Sequence, residues 1–189
     1  VEGTIADGDS LEIPIVGSKI VGGRTLVKVI DALRDDRRVK AVVVRIDSPG
    51  GSVAASDDMA RALDRVALKK PVVVSMGDVA ASGGYYVATA ASYIFADATT
   101  RTGSIGVFRP KVDVSGVLEK FGVHVEGIDL GKRAGLYSWF KPYSEDERAA
   151  TQAGVDAIYQ AVVARMAKLR KMTPVQVCRV ARGRVWSGV

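Results

Sequence analysis

Ser82 stands in the run Ala80-Ala81-Ser82-Gly83-Gly84-Tyr85-Tyr86, directly after the apolar stretch 71–76 and inside what reads as a helix over 79–91. A hydroxyl at a strand-to-helix turn, flanked by residues too small to shield it, has the exposure that a nucleophile needs. The helix N-terminus adds partial positive charge and free backbone N–H groups beside it. The same pattern also describes an ordinary N-cap serine followed by a glycine turn. This turn alone does not decide between chemistry and structure.

A second turn of the same grammar lies upstream. The β-branched run 41–46 reads as a buried strand, followed by Asp47-Ser48-Pro49-Gly50-Gly51-Ser52 and a helical pattern over 53–66. Two parallel strands with such turns bring both turns to the carboxyl edge of one sheet, where open α/β folds build their sites. The N–H groups of Gly51 and Gly83 are then candidate donors to the oxygen of a carbonyl attacked by Ser82, an oxyanion hole for which glycine permits the close approach.

A serine nucleophile needs a base. The chain has one histidine, His124, in Phe121-Gly122-Val123-His124-Val125, where alternation predicts a short strand. A Ser-His-Asp triad would depend wholly on that residue, which reads more simply as a surface or structural group. The other route is a lysine kept neutral by desolvation. No cluster of His, Cys or carboxylates has metal-ligand spacing, so no metal or cofactor is expected.

Taken together, DSPGGS (47–52), PVVVSMGDVAASGGYYVA (71–88), ADATTRTGSIGVF (96–108) and GRVWSG (183–188) resemble the signal peptide peptidase A family, also called protease IV, Ser-Lys peptidases of the ClpP/crotonase superfamily. The resemblance spans nearly the whole chain in order and spacing. It implies an α/β fold of repeated strand-strand-helix units around a mixed, largely parallel sheet, as one peptidase domain over 1–189. It implies a serine endopeptidase that degrades cleaved signal peptides and other apolar peptides through an acyl-enzyme. Ser82 would be the nucleophile, Gly51 and Gly83 the oxyanion donors, and Thr102-Gly103-Ser104-Ile105-Gly106 part of the site wall.

The chain departs from the short members of that family at the base. Their lysine corresponds to Ala134 here, and Lys132, two residues upstream, is the alternative base within the chain. Tandem-repeat members carry the lysine in the amino-terminal repeat and the serine in the carboxy-terminal one. The chain resembles the second repeat, with its amino-terminal repeat missing. It opens at Val1 without an initiator methionine, signal sequence or membrane span, which agrees with a fragment. The family further implies a homo-oligomer anchored to a bacterial cytoplasmic membrane, its catalytic domain on the periplasmic side.

The supporting elements read conventionally. A helix over 24–34 presents Leu26, Val29, Ile30 and Leu33 to the sheet. Another covers 112–120, and a long one covers 145–171 with Ser144 as N-cap, acidic residues in its first turn, basic residues in its last, and an apolar stripe through Ala150, Val155, Ile158, Val162 and Met166. Segment 131–143 combines glycines with Leu136, Tyr137, Trp139 and Phe140, which suits packing or an apolar peptide groove. Asp78 is expected to pair locally or cap a helix. Cys178 follows Thr173 in a short helix as a core or boundary side chain.

At 189 residues, 48% hydrophobic and 25% charged, the chain has the composition of a globular domain. Its net charge of +6 is spread over scattered basic residues, with aromatics only 6%. That describes a solvated basic face rather than a nucleic-acid site, with proximity to anionic lipid as a second reading. Two rival functions remain from the sequence: a crotonase-like acyl-CoA enzyme, and a non-catalytic assembly module whose base is absent.

Overall fold

The computed structural model describes residues 1–13 and 18–189. Strands β1 (Thr4–Ala6), β2 (Leu11–Ile13) and β3 (Ser18–Gly22) form a small sheet in the order β1-β3-β2, with β1 parallel and β2 antiparallel to β3. The chain continues through helix α1 (Gly23–Asp35), β4 (Val42–Ser48), α2 (Val53–Ala67), β5 (Val72–Ala81), the short helix α3 (Gly83–Ala88), β6 (Tyr93–Phe95) and β7 (Arg101–Gly103). Then come α4 (Ser115–Lys120), α5 (Glu145–Arg170), α6 (Pro174–Val180) and β8 (Val185–Trp186).

The second sheet follows the path β4-β5-β7-β8, and β6 also pairs with β5. Strand β5 is parallel to β4, β6 and β7, while β8 runs antiparallel to β7. This is a mixed, largely parallel sheet. Alternation on β5 buries Val72, Val74 and Met76, which with Ile46 meet Met59, Leu63 and Val66 of α2 and Val87 of α3. Each such fully buried aliphatic side chain contributes about 1.5–3 kcal/mol. Helix α2 starts cleanly because Ser52 accepts the Ala55 N–H at 3.2 Å.

The chain divides into two compact units, one of residues 1–106 with 162–189, the other of residues 107–161. In the second, the Val114 N–H donates to the Trp139 carbonyl at 2.8 Å, and Lys111 lies over the Tyr143 ring at 4.6 Å. The Glu147 side chain is buried in a reciprocal cap, accepting the Ser144 N–H at 2.9 Å while Ser144 Oγ accepts the Glu147 N–H at 3.2 Å. Tyr137, Trp139 and Phe140 are exposed.

Several sequence expectations change. Residues 79–81 are strand, paired with Arg101–Gly103 of β7, so the helix begins four residues later than expected. The extension is possible because the β4–β5 register shifts between Ile46↔Met76 and Ser48↔Ala80, and Asp47 Oδ1 accepts the Val79 N–H at 3.1 Å across the irregularity. Asp78 is an exposed strand residue and caps no helix. No strand forms at 121–125 among the described residues, and His124 is exposed. The helix expected over 112–120 shrinks to α4. Helix α1 packs chiefly on α2, which leaves Val29 exposed while Ile30 is buried. On α5, apolar burial is confined to the C-terminal end, at Val163, Met166 and Ala167, and Ile158 is exposed.

Candidate active site

The two glycine turns converge at the carboxyl ends of β4 and β5. Ser82 sits between β5 and α3 with φ 50° and ψ −117°, a conformation that non-glycine residues rarely adopt, and its side chain makes no cap hydrogen bond. An N-cap serine has extended backbone and a hydroxyl bonded to the first turn. Ser82 has neither, so it is not an ordinary N-cap. Strain of about 1–3 kcal/mol is held here.

What holds it is visible from both flanks. The Ser82 N–H donates to the Gly103 carbonyl at the end of β7 at 2.9 Å. From the β4 side, Gly50 (φ 101°) approaches so closely that a Cβ on it would lie 2.5 Å from Gly83 N and 2.9 Å from Ser82 Cβ. Glycine is required at that contact. The turn itself is pinned by the Gly50 N–H donating to Ser48 Oγ at 3.1 Å, and by Ile5, whose N–H donates to Gly50 O and whose carbonyl accepts the Ser52 N–H, both at 2.8 Å.

Because Gly50 and Ser52 make the bonds of the parallel bridge to Ile5, the N–H of Gly51 points off the other side of that bridge. A Cβ on Gly83 would lie 3.3 Å from Gly51 N. Gly83 opens α3, where first-turn N–H groups have no helical partner. Ser82 is half-buried, Gly51 exposed and Gly83 buried. The structure thus brings Ser82, Gly51 and Gly83 together, with two amide groups beside a reachable hydroxyl.

Among the described residues, the Ser82 hydroxyl has no hydrogen bond to a lysine, histidine or carboxylate. Lys132 lies in the second unit, exposed, on a surface groove lined also by Asp129, Lys141 and Glu147. Thr102 and Gly103 belong to β7 beside the serine turn, and Ser104 adopts φ 48° with its N–H donated to the Arg184 carbonyl at 2.7 Å.

One polar network beside the turn was missed by the sequence reading. The Tyr86 hydroxyl donates to Asp57 Oδ1 at 2.6 Å, and Arg61 pairs with the same carboxylate at 2.5 Å. Arg165 of α5 forks onto Asp64 at 2.8 and 3.0 Å, donates to Thr89 Oγ1 at 3.2 Å, and stacks 5.2 Å from the Tyr86 ring centre. Burial and the Asp57 carboxylate hold the Tyr86 hydroxyl well above the usual tyrosine range. Only the spacing of Asp57 and Asp64, two turns apart on one helix face, hints at it in the sequence.

Fold and site together define a ClpP/crotonase-like α/β protein with a strained serine between two glycine turns. Residues 64–189 match peptidase family S49, and the chain belongs to that family. It is 38% identical to Protease 4 of Haemophilus influenzae over 189 residues, which cover 100% of this chain and 30% of that protein. Protease 4 of Salmonella typhi is 42% identical over 187 residues, covering 98% and 29%. The chloroplastic serine protease SPPA of Arabidopsis thaliana is 40% identical over 173 residues, covering 91% and 25%. The chain therefore spans less than a third of the length of these relatives. A ClpP1 variant from Listeria monocytogenes has the same fold, with a TM-score of 0.51 at 14% identity over 98% of this chain and 82% of that one.

Proposed function

We propose that this chain carries the nucleophile and oxyanion hole of a serine endopeptidase of Ser-Lys type. The observation that carries the reading is the uncapped, strained Ser82 wedged against Gly50 and Gly83. Ser82 Oγ attacks the peptide carbonyl carbon while a lysine accepts its proton, and the Gly51 and Gly83 N–H groups take the oxyanion. The lysine returns the proton to the leaving amine, and water then hydrolyses the acyl-enzyme.

The lysine comes from an amino-terminal repeat outside this chain, for which Ala134, standing where short relatives would have the base, is the support. The substrates are cleaved signal peptides and other apolar peptides bound as extended strands. The working form is a homo-oligomer at a bacterial cytoplasmic membrane, its catalytic domain on the periplasmic side. Within the described residues no helix is long and apolar enough to cross a membrane.

A fluorophosphonate probe tests the reading in the full-length protein. Labelling that disappears in Ser82→Ala supports it, and a full-length protein that does not label sinks it. That second outcome would favour an assembly module of the same fold, a reading that Ala134 also allows.

A further inference from the structure

The strain at Ser82 must be resisted by something, and α3 is too short to do so alone. A six-residue helix has no independent stability in water. Its first hydrogen bond, from the Tyr86 N–H to the Ser82 carbonyl at 2.8 Å, ties the nucleophile to the residue whose side chain leaves the helix for α2.

We propose that Tyr86 and Asp57 are positioning residues that set the geometry between Ser82 and the two oxyanion donors. The inference rests on Ser82 being the nucleophile. Gly51 leads into α2 and Gly83 opens α3, so the separation of the two donors follows the separation of these helices. That separation is held at two points. Asp57 takes the Tyr86 hydroxyl at the fourth residue of α3, and Asp64 takes Arg165, which reaches Thr89 just past its end. The Arg165 side chain is only 16% exposed, so this second clamp is shielded from solvent. Asp57 is not in the reacting cluster; it acts through Tyr86 and the backbone of α3.

The contact is unusual in having a clean single-atom deletion. Tyr86→Phe keeps the ring under Arg165 and removes only the hydroxyl that Asp57 accepts. Asp57→Asn keeps an oxygen to accept it, whereas Asp57→Ala does not.

The test is the fluorophosphonate labelling rate, with steady-state hydrolysis of a fluorogenic apolar peptide, in the full-length protein. Tyr86→Phe is expected to lower the labelling rate and kcat by roughly tenfold to a hundredfold, the scale of a small misplacement, with KM little changed. Asp57→Asn should recover most of what Asp57→Ala loses, and Tyr86→Phe combined with Asp57→Ala should cost no more than Asp57→Ala alone. A merely structural contact would lower the melting temperature and leave kcat of the folded enzyme intact, and that result overturns the proposal. So does Tyr86→Phe labelling at the wild-type rate while Ser82→Ala is silent. Undiminished labelling of Ser82→Ala is a different failure, of the nucleophile assignment itself. If Tyr86→Phe folds poorly, the Asp57→Ala and Asp57→Asn pair reads the same contact.

Discussion

The amide N–H of Ser82 is donated to the carbonyl of Gly103, 2.9 Å away. The N–H of the proposed nucleophile is thereby committed to β7 and is not free to stabilise a developing negative charge. In the proposed mechanism that role falls to the next amide along the chain, that of Gly83, and to the facing amide of Gly51.

The backbone of Ser82 gives a first prediction. Its φ of 50° and ψ of −117° suit glycine and strain any residue with a Cβ. Ser82→Gly should therefore be more stable to denaturant than Ser82→Ala by about 1–2 kcal/mol, although both abolish labelling. Equal unfolding free energies would show that the turn is not strained.

Gly83 offers a test by crowding. A Cβ there would lie 2.4 Å from Ser56 Oγ but 3.3 Å from Gly50 Cα and Gly51 N, so the worst clash is with a removable atom. Gly83→Ala is expected to cost about 1–3 kcal/mol and most of the labelling rate. Adding Ser56→Ala should recover part of both. Strictly additive effects in this cycle would mean that the two residues do not meet.

Asp57 makes a pH prediction. Burial pushes its carboxyl up, but hydrogen bonds from Tyr86 and Arg61 and the nearby guanidinium charges outweigh burial and hold it below the ordinary 3.8. A carboxyl lowered in the folded state contributes stability that is present above the unfolded value, near 4, and is lost as pH falls through the folded value. The stability gap between wild type and Asp57→Asn should stay level from neutral pH to about 5 and close below about 4. Urea melts across that range measure it; a gap as wide in strong acid as at neutrality would contradict the lowered carboxyl.

Lys132 is exposed and belongs to the second unit, on a groove of its own. On the proposal that the base comes from a separate repeat, Lys132→Ala in the full-length protein is expected to hydrolyse an apolar peptide at the wild-type rate. Loss of turnover with unchanged melting temperature and assembly would instead make Lys132 the base.

The paired strand, glycine turn and helix were legible in the sequence because each step is local. β-branched runs mark β4 and the first half of β5, glycines mark the turns, and α2 begins at the residue its pattern indicates. What was not legible depends on partners far along the chain. Residues 79–81 extend β5 only because Asp47 and β7 receive them, and Gly77-Asp78 reads locally as a break. Val29 has the right helical period for burial, but α1 faces α2 rather than lying flat on the sheet. The Tyr86–Asp57 and Arg165–Asp64 contacts join residues 29 and 101 positions apart, a separation that no periodicity encodes.

The register shift in β5 has a consequence of parity. From Ile46 to Ser48 the chain advances two residues on β4, while the paired stretch from Met76 to Ala80 advances four. The surplus is two, an even number, so the in-and-out alternation of β5 resumes in phase beyond the irregularity. Losing one residue between Met76 and Ala80 would turn the following segment over and carry the Ser82 hydroxyl toward the opposite face of the sheet, whereas losing two would leave its facing intact. The facing of the serine turn thus depends on the parity of the residue count in this stretch.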